Sequence, residues 1–303
     1  MRKESLGKII LANWQLYLLI LPALVYLIIF NYLPLYGIQI AFRDFKAVEG
    51  ITGSAWVGLR HFKTFFRTYY SSRLIINTFL LNLYGLIFGF PIPIILAILI
   101  NGLVNRNFKK FTQTIIYVPY FISTVVMAGV IYIFLSPVNG IINKVINVLG
   151  NQPIFFMNEE AWFRPVFIIA GIWQSAGWSS ILYIAALAGV DQELYEAATI
   201  DGATKLQKVI HIDIPHILPI VTMMLILNSG YLLSSSTEKT LLFQTGGNIA
   251  KSDIIGTYVY TMGLTQGQFS YTAAIGLMVN LVNFILIILV NQISKRMKGE
   301  TLF

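Results

Sequence analysis

Cysteine is absent from the 303-residue chain, which excludes disulfides, thiolate metal sites and cysteine nucleophiles. Charge is scarce as well. Asp, Glu, Lys and Arg make up 11% of the residues, where a soluble domain carries about a quarter. With 56% of the chain hydrophobic, there is too little polar cover for life in water, and a membrane protein is expected. No G-x-x-x-x-G-K-[ST] string and no H-E-x-x-H occur, so neither a triphosphate cradle nor that zinc site is present. A cleavable signal is not expected either, because the first apolar run is too long for one and no small-residue cleavage site follows it. Met1-Arg2-Lys3 reads instead as a cytoplasmic lead-in. The net charge of +8 would suggest nucleic acid in a soluble protein. Here the basic residues read as anchors beside anionic lipid head groups, and no nucleic-acid partner is expected.

Long apolar runs are what the chain has in abundance. A helical span needs about 20 of them in a row, and six segments qualify, at about 14–40, 74–100, 115–135, 166–188, 217–236 and 272–294. The expected fold is therefore all-α, a polytopic membrane protein with six transmembrane helices in a single domain, residues 1–303. The first span overruns a bilayer and contains Pro22 and Pro34, so it is expected to kink or to project beyond the lipid. Pro91 and Pro93 in the second and Pro119 in the third are tolerated where neighbouring helices satisfy the freed carbonyls. Lys and Arg flank the short segments 1–13, 101–114, 189–216 and 295–303: Arg2, Lys3, Lys8, Arg106, Lys109, Lys110, Lys205, Lys208, Lys295, Arg296 and Lys298. Those on the other side are spread over longer loops, so both termini are expected in the cytoplasm. The outer loops at 41–73, 136–165 and 237–271 have room for short amphipathic helices. Residues 61–70 alternate aromatic and basic side chains in a way that suits an interface.

Between the fourth and fifth spans lies a polar island, residues 189–216, on the cytoplasmic side in this arrangement. Asp191 can cap a helix with Glu193 in its first turn. Leu194, Ala197, Ala198 and Ile200 then form a narrow apolar stripe. Gly202 interrupts that helix. Thr204-Lys205-Leu206-Gln207 fits a capping box that starts a second short helix with Leu206, Val209 and Ile210 on one face. Pro215 and Pro219 suit the opening turn of the next span. The prediction is a helix–turn–helix along the cytoplasmic surface. By physics alone, a docking element and an ordinary stub of surface helix stand equal.

The string Glu196-Ala197-Ala198-x-x-Asp201-Gly202-Ala203, followed by Ile212-x-Ile214-Pro215 and Pro219, resembles the EAA loop in permease subunits of ATP-binding-cassette importers. Its place ahead of the last two spans matches too, and the likeness covers most of the chain. Val57-Gly58-Leu59-Arg60-His61-Phe62 and Asn77-Thr78 are similar to the approach to that family's second span. Residues 257–260 and 272–277 resemble its oligosaccharide and polysaccharide branch. Leu206 and Val209 stand where relatives often have aromatics, and Phe243–Ser252 departs from the branch pattern.

The resemblance implies a bacterial cytoplasmic-membrane subunit that hydrolyses nothing itself and binds no cofactor. ATP and Mg would be bound by two partner ATPase subunits. A second permease subunit, in a heterodimer, and an extracellular substrate-binding protein complete the assembly. Glu196, Ala197, Ala198, Asp201, Gly202, Ala203, Leu206 and Pro215 would form the ATPase-coupling element.

Polar groups within spans usually face a cavity or another helix. The candidates for a sugar pathway are Asn82, Trp173, Gln174, Trp178, Asn228 and Tyr231, with Glu238 just beyond the fifth span. Aromatic faces stack on sugar C–H patches, while amides and hydroxyls serve ring hydroxyls. The competing reading of each is helix–helix glue, which suits Asn280 and Asn283 best. Arg43, Lys46, Arg60, Lys63, Arg67 and Arg73 outnumber Asp44 and Glu49 in the 41–73 loop. They read either as a field that steers an anionic, uronate-containing oligosaccharide or as a lipid-facing snorkelling set. His211 and His216 read as surface residues, not metal ligands. A self-sufficient carrier or channel is the alternative function, though such proteins favour inverted repeats and intramembrane charges that these spans lack.

Overall fold

A proline inside a membrane helix lacks one N–H and presses on the carbonyl four residues earlier. In three spans the chain answers with a π turn that contains that carbonyl. Ile28–Tyr32 precedes Pro34, Gly85–Gly89 precedes Pro91, and Val209–Asp213 precedes Pro215. The wider turn lets the helix pass the ring without breaking. In the last case the Ile214 N–H reaches back to the Val209 carbonyl.

The computed structural model describes residues 12–296, most of them helical, with one isolated β-bridge, Arg43 with Trp56, among the described residues. Arg2, Lys3, Lys8 and Lys298, used above for orientation, lie outside the described residues. Five helices are long and apolar enough to cross a membrane: Trp14–Phe42, Ser71–Asn101, Glu160–Leu187, Lys205–Ser229 and Phe269–Arg296. A sixth crossing exists only if the bent pair Arg106–Phe121 and Thr124–Phe134 counts as one.

That pair stands where one span was expected at 115–135. The two helices meet at 100°. Pro119 begins a 3-10 turn at Val118–Phe121, Ile122 is extended, and the Ser123 side chain accepts from the Val126 N–H to start the next helix. The expected fifth span at 217–236 also shifts. Its helix already starts at Lys205 and stops at Ser229. At Gly230 a side chain would collide with Ile287. The Leu233 N–H then donates to Asn283 Oδ1, and Asn283 Nδ2 donates to Ser234 Oγ. Asn283 is helix glue, as expected of it, while Asn280 is exposed.

Two compact units make up the described chain, residues 12–67 with 262–278 and residues 68–261 with 279–296. In the first, the chain leaving the Trp14–Phe42 helix folds back on its end. The Val57 N–H donates to the Phe42 carbonyl, and the Phe42 ring stacks on Trp56 at 5.6 Å. Arg43 donates to the Thr52 and Ser54 carbonyls, Arg60 pairs with Asp44, and Lys46 pairs with Glu49. Much of the basic surplus of this loop is thus engaged by the loop's own groups, and needs no anionic ligand to explain it. The first span itself is exposed along nearly its whole length.

In the second unit the Glu160–Leu187 helix is the most buried of the spans. It packs along Ser71–Asn101 and also meets the 106–121, 205–229 and 237–252 segments. One apolar cluster joins Leu81, Met127, Phe163, Phe167, Phe243 and Ile254. Another joins Ala97, Tyr183, Leu187 and Ile217. The 237–261 segment, expected as an outer loop with surface helices, instead contributes buried Thr240, Phe243, Asn248, Ile254 and Thr257. It is pinned to the second span by Asn77, which donates to the Ala250 and Asp253 carbonyls, by Thr78, which accepts from the Ile255 N–H, and by the Arg73–Asp253 pair.

The contact that brings Arg106–Phe121 against the central helix runs through Gly177, where a Cβ would overlap the Ile116 carbonyl. Replacing Gly177 with Ala is expected to destabilise the fold by about 1–3 kcal/mol through overpacking. Gly276→Ala, at a site with no neighbour within 4 Å, should be close to neutral. Thermal melting of the detergent-solubilised proteins, side by side, makes the comparison.

Candidate functional site

The polar island folds as a hairpin. Asp191 accepts a hydrogen bond from the Glu193 N–H and opens the helix Gln192–Ile200. That helix closes with two reverse bonds, Gly202 N–H to the Thr199 carbonyl and Ala203 N–H to the Ala198 carbonyl, with Gly202 at φ +76°. This is a Schellman motif, which requires a left-handed residue where glycine sits. No atom lies within 4 Å of the space a Gly202 side chain would take, so the residue is there for its backbone angle. Thr204 and Gln207 then form the expected capping box. The second arm is not a separate surface helix, however. It runs through the π turn at Val209–Asp213 directly into the membrane helix, with Pro215 inside the continuous segment and not at its start.

Glu196, Ala197, Asp201, Gly202, Leu206 and Pro215 are exposed, while Ala198 and Ala203 are half-buried. Ile200 is 87% and Leu206 67% exposed, with Leu194 and Ile210 open as well. The hairpin thus presents apolar side chains that nothing in the described chain covers. Two ties fix its shape. Lys208 Nζ donates to Thr199 Oγ1 at 2.6 Å across the arms. The Tyr195 hydroxyl donates to buried Asp213 at the π turn and accepts from Asn101 Nδ2 at 3.5 Å, with Lys109 Nζ 3.5 Å from Asn101 Oδ1. Burial, with the Asp213 hydrogen bond and charge behind it, pushes the Tyr195 phenol up to about 12. It is therefore a neutral donor at any physiological pH. His211 and His216 are exposed, and no cluster among the described residues could hold a metal ion.

The second feature is a cavity of about 770 Å³ in the larger unit, walled by the 71–101, 160–187 and 205–229 helices and the chain from Tyr231 to Lys239. Its size suits a ligand pocket, for which several hundred Å³ is usual. Asn82, Trp178, Asn228 and Tyr231 line it, together with Ser175, Ser179, Ser235 and Ser236. Asn82 Nδ2 donates to the Thr78 and Leu232 carbonyls, and Asn228 Nδ2 to the Met224 carbonyl. Trp178 is held in place by stacking on Tyr120, with centroids 4.6 Å apart and planes within 6°, and by an edge contact with Phe121.

Three expected pathway residues do not line this cavity. Trp173 is exposed elsewhere. Gln174 spends its amide on the Ile122 carbonyl at 2.8 Å, which serves the bend of the broken span. Glu238 is exposed, and its neighbour Lys239 takes the cavity side. Sequence reasoning missed Lys239, whose one visible signal was its place beside Glu238 at the end of the fifth apolar run. It is 7% exposed, its Nζ donates to the Phe167 carbonyl at 2.6 Å, and it lies 4.0 Å from the Phe167 ring centroid. Burial pushes its ammonium down to about 8.

Residues 89–299 match the family model described as "binding-protein-dependent transport system inner membrane component". The chain belongs to this family. The permease is 42% identical over 302 residues to the polygalacturonan/rhamnogalacturonan transport system permease protein YteP of Bacillus subtilis (strain 168), covering 100% of this chain and 94% of the relative. It is 35% identical, with a TM-score of 0.89, to a chain of a bacterial ABC transporter involved in the import of the acidic polysaccharide alginate, covering 97% and 99%. A chain of the bacterial alginate ABC transporter in complex with an alginate pentasaccharide-bound periplasmic protein gives 34% and 0.90, covering 99% and 100%. The permease is accordingly a multi-pass membrane transport subunit.

Two substitutions test the hairpin. Gly202→Ala places a side chain in the left-handed region, at a cost of about 1–2 kcal/mol. Tyr195→Phe strips buried Asp213 of its donor, at about 1–3 kcal/mol. Both should speed amide hydrogen exchange across 192–213 while leaving the 160–187 helix protected.

Proposed function

We propose that the permease is one membrane subunit of an ATP-driven importer of uronate-containing oligosaccharides, which an external binding protein delivers. Both termini and the 189–216 hairpin face the cytoplasm. The hairpin docks on an ATPase subunit through Glu196, Ala197, Ala198, Asp201, Gly202, Ala203 and Leu206, with Pro215 in the helix that follows. Two ATPase copies bind ATP and Mg, and a second, different permease subunit completes the pathway.

The observation that carries this reading is the hairpin itself. Its conformation is set by its own caps, and its apolar residues Leu194, Ile200 and Leu206 stand exposed. A preorganised element of this kind loses little entropy when it is gripped. Leu206 and Asn228 lie on one continuous helix, roughly 33 Å apart at 1.5 Å per residue. The Tyr195–Asp213 bond ties the first arm to that same helix. Displacement of the hairpin by closing ATPases is therefore delivered to the cavity wall as a rigid-body movement. The mixture of Trp178, Tyr231, Asn82, Asn228 and serines around the cavity suits a sugar. Similarity to a relative named for polygalacturonan and rhamnogalacturonan, and to transporters of alginate, supports an acidic one.

Glu196→Lys, which reverses an exposed charge on the docking face, should abolish co-purification of the ATPase subunit while the permease still inserts and folds. Trp178→Ala should lower oligosaccharide uptake at least tenfold with the complex intact. Retention of the ATPase by Glu196→Lys would count against the coupling role. Substrate-driven transport by the permease alone in liposomes would overturn the importer reading in favour of a carrier.

A further inference from the structure

Among the described residues that line the cavity, Lys239 is the one that carries a charge. A buried ammonium is costly unless its donors find partners. One donor goes to the Phe167 carbonyl, and the rings of Phe167 and Phe243, at 4.0 and 6.0 Å, add cation–π attraction. An ammonium has three donors, and among the described residues no carboxylate lies within ion-pair distance of this one. Gly171 on the central helix faces it, and a Cβ there would come to 2.7 Å from Nζ. A side chain at 171 would fill the niche that the ammonium occupies.

A neutral sugar would need none of this. The hydroxyls of such a ligand are served by the amides and serines already present, and a buried cation would only add desolvation cost. A carboxylate on the ligand changes the balance, because it supplies the charge-assisted hydrogen bond the free donors lack. We propose that Lys239, seated against Gly171 and Phe167, is the carboxylate-reading residue of the cavity, so that selection for an acidic sugar ring is made by this chain as well. The inference rests on the uronate-import reading above. It adds a second charge filter to whatever selection the external binding protein makes.

The test is equilibrium binding to the assembled transporter in nanodiscs without the binding protein, so that only the membrane subunits select. The probes are trigalacturonate and its carboxyl-reduced counterpart, which differ in charge and little in shape. The wild type should prefer trigalacturonate by about tenfold or more, as loss of one charge-assisted contact implies. Lys239→Gln should bring that ratio close to one, and Lys239→Arg should retain most of it. Gly171→Ala, which displaces Nζ without removing the charge, should reduce the ratio as well, and serves if Lys239→Gln fails to assemble. A ratio unchanged in Lys239→Gln, or equal weakening of both sugars, makes the lysine a structural residue and overturns the proposal. A wild type that binds the two equally, or neither, overturns the assignment of Lys239 and leaves uronate import to the binding protein; no uptake of trigalacturonate by the complete transporter with its binding protein overturns the uronate-import reading itself.

Discussion

Close packing against the small residues of the 160–187 helix sets the geometry of the larger unit. Ala170, Ala176, Gly177 and Ser180 are buried there, and their size lets neighbouring backbones approach. Within lipid no hydrophobic force draws helices together, so van der Waals fit and occasional hydrogen bonds must do so. At Gly177 the fit is with the Ile116 carbonyl, and at Gly171 with the Lys239 ammonium. One position therefore brings in the bent 106–134 pair, and the other seats a charge beside a cavity. Ser175, Trp178 and Ser179 of the same helix line that cavity.

Three of the four π turns among the described residues lie just ahead of a proline. Prolines that would break a helix in water are absorbed by π turns, so three spans stay continuous across them. In the third of these the turn also holds Asp213, the acceptor for Tyr195. A local solution to a proline thus doubles as the anchor of the hairpin. The broken span is different. There the chain truly bends, and the freed Ile122 carbonyl is served by Gln174 from the central helix, as a polar group in an apolar setting requires.

The hairpin was legible in the sequence almost residue by residue. Asp191, Gly202 and the Thr204–Gln207 pair act on groups two to five residues away, so their chemistry can be read from order alone. What the order hid was its second arm, because Pro215 looks like a helix start until the π turn ahead of it is seen. The pathway residues were only partly legible. Asn82, Trp178, Asn228 and Tyr231 share one cavity, whereas Gln174, on the same helix as Trp178, is spent on the Ile122 carbonyl and Trp173 is exposed. Glu238 and Lys239 differ by one residue and so by about 100° around a helix, enough to exchange solvent for the cavity.

By itself, the amino-acid order determined the all-helical membrane class, the apolar segments, and the capped hairpin between two of them. Each of these depends on composition or on contacts within a helical turn or two. Only the tertiary structure decided which polar side chain meets the cavity, which one mends a backbone bend and which apparent surface loop is buried. Asn77 finds its carbonyl partners more than 170 residues away, and Lys239 meets Phe167 across 72. The face a membrane helix turns inward is chosen by such distant partners. Where every face is apolar, the sequence pattern carries little trace of that choice.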